Sequence, residues 1–97
     1  MQFALVAYDF GDEKALERRL AYRTDHLEGL RTLAARGQFI SGGALVDESG
    51  RMVGSHAHFS FDSREEMDAW LRDEPYVVGQ VWEVINIQEV RLFDPTS

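Results

Sequence analysis

Residues 52–71 read MVGSHAHFSFDSREEMDAWL, and the spacing of apolar residues changes partway along them. From Met52 to Phe61 the period is two: Val53, Ala57, Phe59 and Phe61 fall on one side of an extended chain, with His56, His58 and Ser60 on the other. Ser63 and Glu66 then form a Ser-x-x-Glu capping box directly ahead of Met67, Trp70 and Leu71 at helical spacing. A strand hands over to a helix, which has to end ahead of Pro75 because proline disfavours helical geometry in the residue before it.

On the N-terminal side, Asp47-Glu48-Ser49-Gly50 is a polar, glycine-closed turn, and residues 38–46 before it complete a hairpin with the strand just described. Residues 2–10 are mostly apolar, too short for a helix and rich in Phe, Val and Tyr, which predicts a buried strand. Gly11 ends that strand. Asp12 caps a helix with Glu13 in its first turn, and the helix runs to Arg36 before Gly37 stops it. The apolar stripe of this helix is Leu16, Leu20, Leu27, Leu30 and Ala34. Residues 81–93 form the last strand, centred on Val84, Ile85 and Ile87. The order β, α, β, β, α, β defines an α+β chain in which two right-handed crossovers place both helices on one face of a four-stranded antiparallel sheet. The other face, with Tyr8 and Trp82, has no cover of its own, and a second copy of the chain laid sheet to sheet would supply one.

A chain of 97 residues has room for one core, so residues 1–97 are expected to form a single domain, packed over about residues 1–93, with a short polar tail. Seventeen acidic residues against ten basic ones give a net charge of −7, which repels phosphate backbones and anionic headgroups. Arg18, Arg19 and Arg23 are the only basic cluster, so neither nucleic acid nor membrane is expected as a partner. The absence of cysteine excludes disulfides, thiolate nucleophiles and Cys-ligated metals, and fits a cytoplasmic setting. The opening MQFALVAYDF has no basic leader region and meets Asp9 well short of the roughly 18 apolar residues of a membrane span.

Arg23 lies about 20° from the centre of the helical apolar stripe. A guanidinium there costs several kcal/mol to strip of water, so it needs a carboxylate, carbonyl oxygens or a bound anion. His26, three residues on, can reach the same hollow, and imidazole is the side chain that takes and gives protons near neutrality. The plainer reading is an ion pair at the helix edge beside a half-exposed histidine. His56 and His58, at i and i+2 on one strand, have the spacing of metal ligands, with His26 as a third. The competing reading makes them polar residues at a subunit interface, and no metal or other cofactor is expected. Met67 and Trp70 read as core. Nothing in the chain forms a phosphate-binding glycine loop, a nucleophile elbow or a zinc motif.

RLAYRTDHL (residues 19–27), GQFISGG (residues 37–43), Gly54-Ser55, and Ala69-Trp70 with Glu74-Pro75-Tyr76-Val77 follow one another over nearly the whole chain in an order that resembles the YciI-like, YCII-related family. The resemblance implies a ferredoxin-like fold assembled as a dimeric α+β barrel, hence a homodimer, with a His/Asp pair in a cleft as its catalytic centre. The histidine carries over to His26, in the Arg-x-x-His-Leu context that begins at Arg23. The family's acid sits in an Asp-Pro-Tyr motif, and here Glu74 holds that position with Asp73 just ahead of it. The extra methylene means that a bond from Glu74 to His26 needs a shifted backbone, or that Asp73 takes the role. Asp25, the direct neighbour of His26, points about 100° away around the helix.

These readings converge on a small enzyme of proton-transfer chemistry, of isomerase, lyase or dehydrohalogenase type; the family includes a dehydrochlorinase-like activity. The ligand is expected to be a small anionic or aromatic metabolite. His26 would be the base, Glu74 or Asp73 its partner, and Arg23 or the backbone of Ser41, Gly42 and Gly43 the anion anchor, with Tyr76 capping the pocket or donating a proton. Gly42 and Gly43 read equally as a bulge or kink. The rival is a dimeric module that binds a metabolite or another protein without chemistry.

Overall fold

The computed structural model describes residues 1–97. Its elements are β1 (Gln2–Asp9), α1 (Ala15–Ala35), β2 (Phe39–Val46), β3 (Met52–Ser60), α2 (Arg64–Arg72), the single turn α3 (Pro75–Val78) and β4 (Trp82–Val90). The strands form one antiparallel sheet in the order β2-β3-β1-β4. This is the ferredoxin-like βαββαβ arrangement expected from the sequence, with α3 as an added turn.

The odd-numbered residues of the two central strands make the floor beneath the helices. Phe3, Leu5 and Ala7 of β1 and Ala57 and Phe59 of β3 are buried, and they meet Leu33 of α1 and Met67 of α2 in one core. α2 begins where the capping box places it, with Ser63 Oγ accepting from Glu66 N at 3.1 Å. Met67 is fully buried and Trp70 packs its ring 4.8 Å from that of Phe59. Gly37 ends α1 at φ +73°, the left-handed conformation that lets Gln38 N reach Leu33 O at 2.8 Å.

The sheet has three one-residue register shifts, one of them skipping Val53 between Leu45 and Val46; the other two decide which residues near the helices share a face, and alternation alone does not reveal them. Between Tyr8 and Asp9 the register with β4 skips Glu83, so Asp9 pairs with Trp82. The indole therefore sits under the helices, 5% exposed, and not on the open face where strict alternation placed it. Tyr8 does lie on the open face, half exposed beside its cross-strand partner Val84. Between Phe39 and Ser41 the register with β3 skips Ile40, which turns Gly42 and Ala44 inward and Ser41 and Gly43 outward. At Gly42 a Cβ would lie 2.5 Å from His56 O, so the strands approach closely only because that position has no side chain.

Three further expectations are corrected. α1 starts at Ala15, not after Asp12, whose carboxylate instead accepts from Lys14 N at 3.2 Å in the turn before it. The last strand ends at Val90, and Phe93 beyond it is 85% exposed. The buried seam of α1 is Ala15, Arg19, His26 and Leu33, while Leu20 is 53% exposed. The helix is rotated from the leucine stripe because two polar side chains, Arg19 and His26, find buried partners beneath it.

Candidate functional site

His26 projects from the middle of α1 toward the start of α3 and is 8% exposed. Its Nδ1 is hydrogen-bonded to Glu74 Oε1. Glu74 is also the N-cap of α3, and its other oxygen, Oε2, accepts from Tyr76 N at 2.5 Å. Pro75 at the first helical position holds that turn open for the cap. One carboxylate thus closes a helix end and grips the imidazole. An ionised carboxylate only accepts, so Nδ1 carries a proton, and in the neutral form of the imidazole Nε2 is the nitrogen with the lone pair.

The imidazole is held on its other sides by aromatic rings. Tyr76 stacks on it at 3.9 Å between centroids, and Trp82 meets it edge-on at 5.8 Å. Tyr76 and Trp82 are themselves edge to face at 5.5 Å.

Next to this cluster is a buried ion pair. Arg19 Nη1 donates to Asp9 at 2.9 Å, and the two side chains are 3% and 4% exposed. Arg19 Nη2 donates to Ser55 Oγ at 2.8 Å, Trp82 Nε1 donates to the same oxygen at 3.1 Å, and the guanidinium lies 4.8 Å from the centre of the Tyr76 ring. Nε of Arg19 has no hydrogen-bond partner. Burial pushes the Asp9 carboxyl above its usual 3.8, against the pull of Arg19. Burial likewise raises the Tyr76 phenol above 10.0, against the charges of Arg19 and Arg23.

Between α1 and the β2–β3 edge lies a cavity of about 300 Å³. His26, Tyr76, Trp82, Ser55 and Arg19 line it together with Arg23 and Arg31 of α1, and most of the remaining wall is apolar, including Leu27, Leu30 and Phe59. An imidazole, hydroxyl groups and two further guanidinium groups around an apolar chamber suit a small anion with a hydrophobic body.

The residues singled out in the sequence divide between two places. His26, Glu74 and Tyr76 are in contact, and Arg23, Gly42 and Gly43 line the same cavity as His26. Glu74 reaches His26 because α3 starts one residue later and presents its cap inward. Asp73, the C-cap of α2, is exposed, and the carboxylate bonded to His26 is that of Glu74, so Asp73 does not stand in for it. Asp25 is also exposed. Ser41 lies outside the cavity, carried to the open face by the Ile40 bulge, where its Oγ is 3.2 Å from His58 Nδ1. By register His56 and His58 belong to that face too, although His56 also borders the cavity, and no three acidic or histidine side chains converge on a metal position.

Sequence reasoning missed Arg19, Asp9 and Ser55. A signal was available in Arg19, His26 and Leu33, which recur every seven residues and so share a helix face. Asp9 and Ser55 also fall on the inward face by alternation, Asp9 with Leu5 and Ala7 and Ser55 with Ala57, but nothing local pairs either of them with Arg19.

A ferredoxin-like α+β sheet with a buried histidine–carboxylate pair under its helices is the class of protein that this fold and site define. A profile of the YCII-related domain matches residues 1–91. The chain is 31% identical to Protein YciI of Escherichia coli O6:H1 over 94 residues, covering 91% of this chain and 94% of that one, and Protein YciI of Shigella flexneri matches at the same identity and coverage. The chain belongs to the YCII-related family. Among solved structures it is similar to 5-chloro-2-hydroxyhydroquinone dehydrochlorinase (TftG) from Burkholderia phenoliruptrix in complex with 2,5-dihydroxybenzoquinone, with a TM-score of 0.81, 19% identity and 94% of each chain covered. A dimeric ferredoxin-like protein of unknown function from Jannaschia sp. superposes with a TM-score of 0.54 at 15% identity, over 92% of this chain and 98% of that one. At these identities both likenesses are of fold. No helix is long and apolar enough to cross a membrane.

Proposed function

We propose that this chain is a small proton-transfer enzyme in which His26 is the general base, oriented by Glu74, and the substrate is a small planar anion with an aromatic or enolisable frame. The observation that carries this reading is the His26–Glu74 bond: it commits Nδ1 to the carboxylate, so that in the neutral imidazole Nε2 is the nitrogen able to take a proton, on a residue that lines the cavity. The carboxylate also stabilises the imidazolium formed once the base has taken a proton. Arg23 attracts the anionic group, and the Tyr76 phenol, kept neutral by burial, is available as a donor. In a dehydrohalogenation the base takes a proton, the electron pair left behind forms the new double bond, and the halide departs with the pair of the bond that breaks. The TftG likeness, which is one of fold, makes a chlorinated hydroxyhydroquinone a reasonable first substrate to test.

The test uses two readouts on the purified chain: chloride release from 5-chloro-2-hydroxyhydroquinone, and ring-hydrogen exchange of 2,5-dihydroxybenzoquinone in deuterium oxide. His26→Gln and Glu74→Gln are expected to lower whichever activity is present by about 10²-fold or more. Full activity in His26→Gln ends the proposal.

The reading extends to a homodimer. The open face carries Tyr8 and Val84, each close to half exposed, and no element of this chain covers it. Sedimentation of the purified chain distinguishes dimer from monomer, and charged substitutions at Tyr8 and Val84 are expected to shift it toward monomer.

A further inference from the structure

A hydroxyl oxygen has two lone pairs and one proton. At Ser55 both lone pairs receive groups that can only donate: Arg19 Nη2 at 2.8 Å and Trp82 Nε1 at 3.1 Å. No protein acceptor takes the Ser55 proton, and the residue, 4% exposed overall, lines the cavity. With two directions about the oxygen already filled, the O–H is turned away from Arg19 and Trp82. Neither neighbour can rotate to reverse this polarity, because a guanidinium and an indole N–H never accept.

From this we infer that Ser55 is a hydrogen-bond donor of fixed polarity that receives a ligand oxygen bearing full or developing negative charge, an enolate or phenolate oxygen. Arg19 strengthens the donor. A cation bonded to the hydroxyl oxygen draws electron density from the O–H, and the low polarity of the site keeps that effect from being screened. Asp9 on the far side of Arg19 holds the fork in place, so the donor is oriented before any ligand arrives.

The inference rests on the proton-transfer reading for its role in turnover, and it deepens that reading by naming the substrate class. The proton goes from substrate to His26 Nε2, the electron pair it leaves moves through the conjugated frame to an oxygen, and the Ser55 O–H meets the charge there. Nothing is oxidised or reduced. A ligand whose polar end is a donor, or is cationic, is rejected, since it meets an O–H pointing at it beside Arg19 and Arg23.

The test measures the affinity of acidic phenols, such as nitro-, cyano- and polyhalogenated ones, all ionised at a single pH below the range in which tyrosine titrates, added to the full chain and followed by tryptophan fluorescence and the Trp82 indole N–H resonance. Affinity is expected to rise with the basicity of the phenolate oxygen. Ser55→Ala weakens binding about ten- to a hundredfold, whereas Ser55→Thr, which keeps the hydroxyl, retains most of it. Ser55→Ala also strips an acceptor from Arg19 and Trp82; should it fail to fold, the basicity slope in the unaltered chain and its preservation in Ser55→Thr decide the matter. Equal affinity in a folded Ser55→Ala, or a flat dependence on oxygen basicity, overturns the inference. His26→Gln separates it from the reading it rests on: phenolate affinity kept while hydrogen exchange is lost supports both, and both kept removes His26 as base while the Ser55 donor stands.

Discussion

The imidazole of His26 lies flat against the phenol of Tyr76, ring centroids 3.9 Å apart and planes 13° from parallel. The contact joins the two halves of the site, because Tyr76 has the Arg19 guanidinium within 4.8 Å of its ring centre and its backbone N–H on the same carboxylate that holds His26. Replacing either partner therefore disturbs the packing of the other.

Alkaline titration should separate Tyr76 from the other tyrosines. Its phenol is raised above 10.0 in the folded chain by burial, while an unfolded chain ionises it near the ordinary value of about 10. Above that pH the unfolded state has released a proton that the folded state still holds, so stability falls as pH rises toward the folded value. Ultraviolet difference spectra should show one of three phenols ionising late, together with unfolding. In Tyr76→Phe the late step disappears.

Glu74 makes two bonds, and substitutions can divide them. Glu74→Gln keeps an oxygen able to cap Tyr76 N but loses the charge behind His26, so activity should fall about 10²- to 10⁴-fold by analogy with other dyads, with a stability loss of about 1.5–3 kcal/mol. Glu74→Ala should cost more stability, since it also removes the cap. Calorimetry and either of the assays above report the two effects separately.

Breaking the Asp9–Arg19 pair should be the most damaging polar change in the protein. Asp9→Asn leaves a buried guanidinium without its counter-charge, a loss of about 3–5 kcal/mol, and Arg19→Met leaves the carboxylate instead. A double substitution to Asn and Met is expected to recover part of the loss. Denaturant melts of the single and double variants give the coupling energy, and simple additivity would contradict a buried pair.

The two neighbouring glycines of β2 should behave differently. A Cβ at Gly42 would meet His56 O at 2.5 Å and Ala57 Cα at 2.9 Å, both backbone, whereas at Gly43 the nearest atom is His56 Nε2 at an ordinary 3.6 Å. Gly42→Ala should destabilise by about 1–3 kcal/mol and narrow the cavity. Gly43→Ala should fold like the unaltered chain.

Gln80 has φ 55°, a left-handed conformation that costs a residue with a side chain about 1–2 kcal/mol. Its carbonyl is fixed by Arg18 Nε at 3.0 Å in the approach to β4. Gln80→Gly is expected to raise the melting temperature by a few degrees, net of the entropy glycine adds to the unfolded chain. No rise would mean that the strain is absent in solution.

Strands and helices were legible from residue order alone because their signals are local. Ser63 and Glu66 cap a helix three residues apart, Gly37 stops another, and the alternation through Phe59 marks a central strand wherever that strand ends up. The pairing of His26 with the acid before Pro75 could also be anticipated, through the likeness of both segments to a known family. What no local signal carried was the face each residue would occupy beyond a bulge. Skipping Glu83 sends Trp82 under the helices, and skipping Ile40 sends Ser41 away from them.

The rotation of α1 had the same origin. Its leucines predict a stripe by periodicity, yet Arg19 and His26 are buried because Asp9, Ser55 and Glu74 arrive from three separate segments to satisfy them. The amino-acid order thus determined the elements, their succession and the residue types available for proton transfer, since these depend on spacings of a few residues. The tertiary structure alone decided which polar groups are buried together, because that depends on hydrogen bonds between residues as far apart as His26 and Glu74, set by strand register.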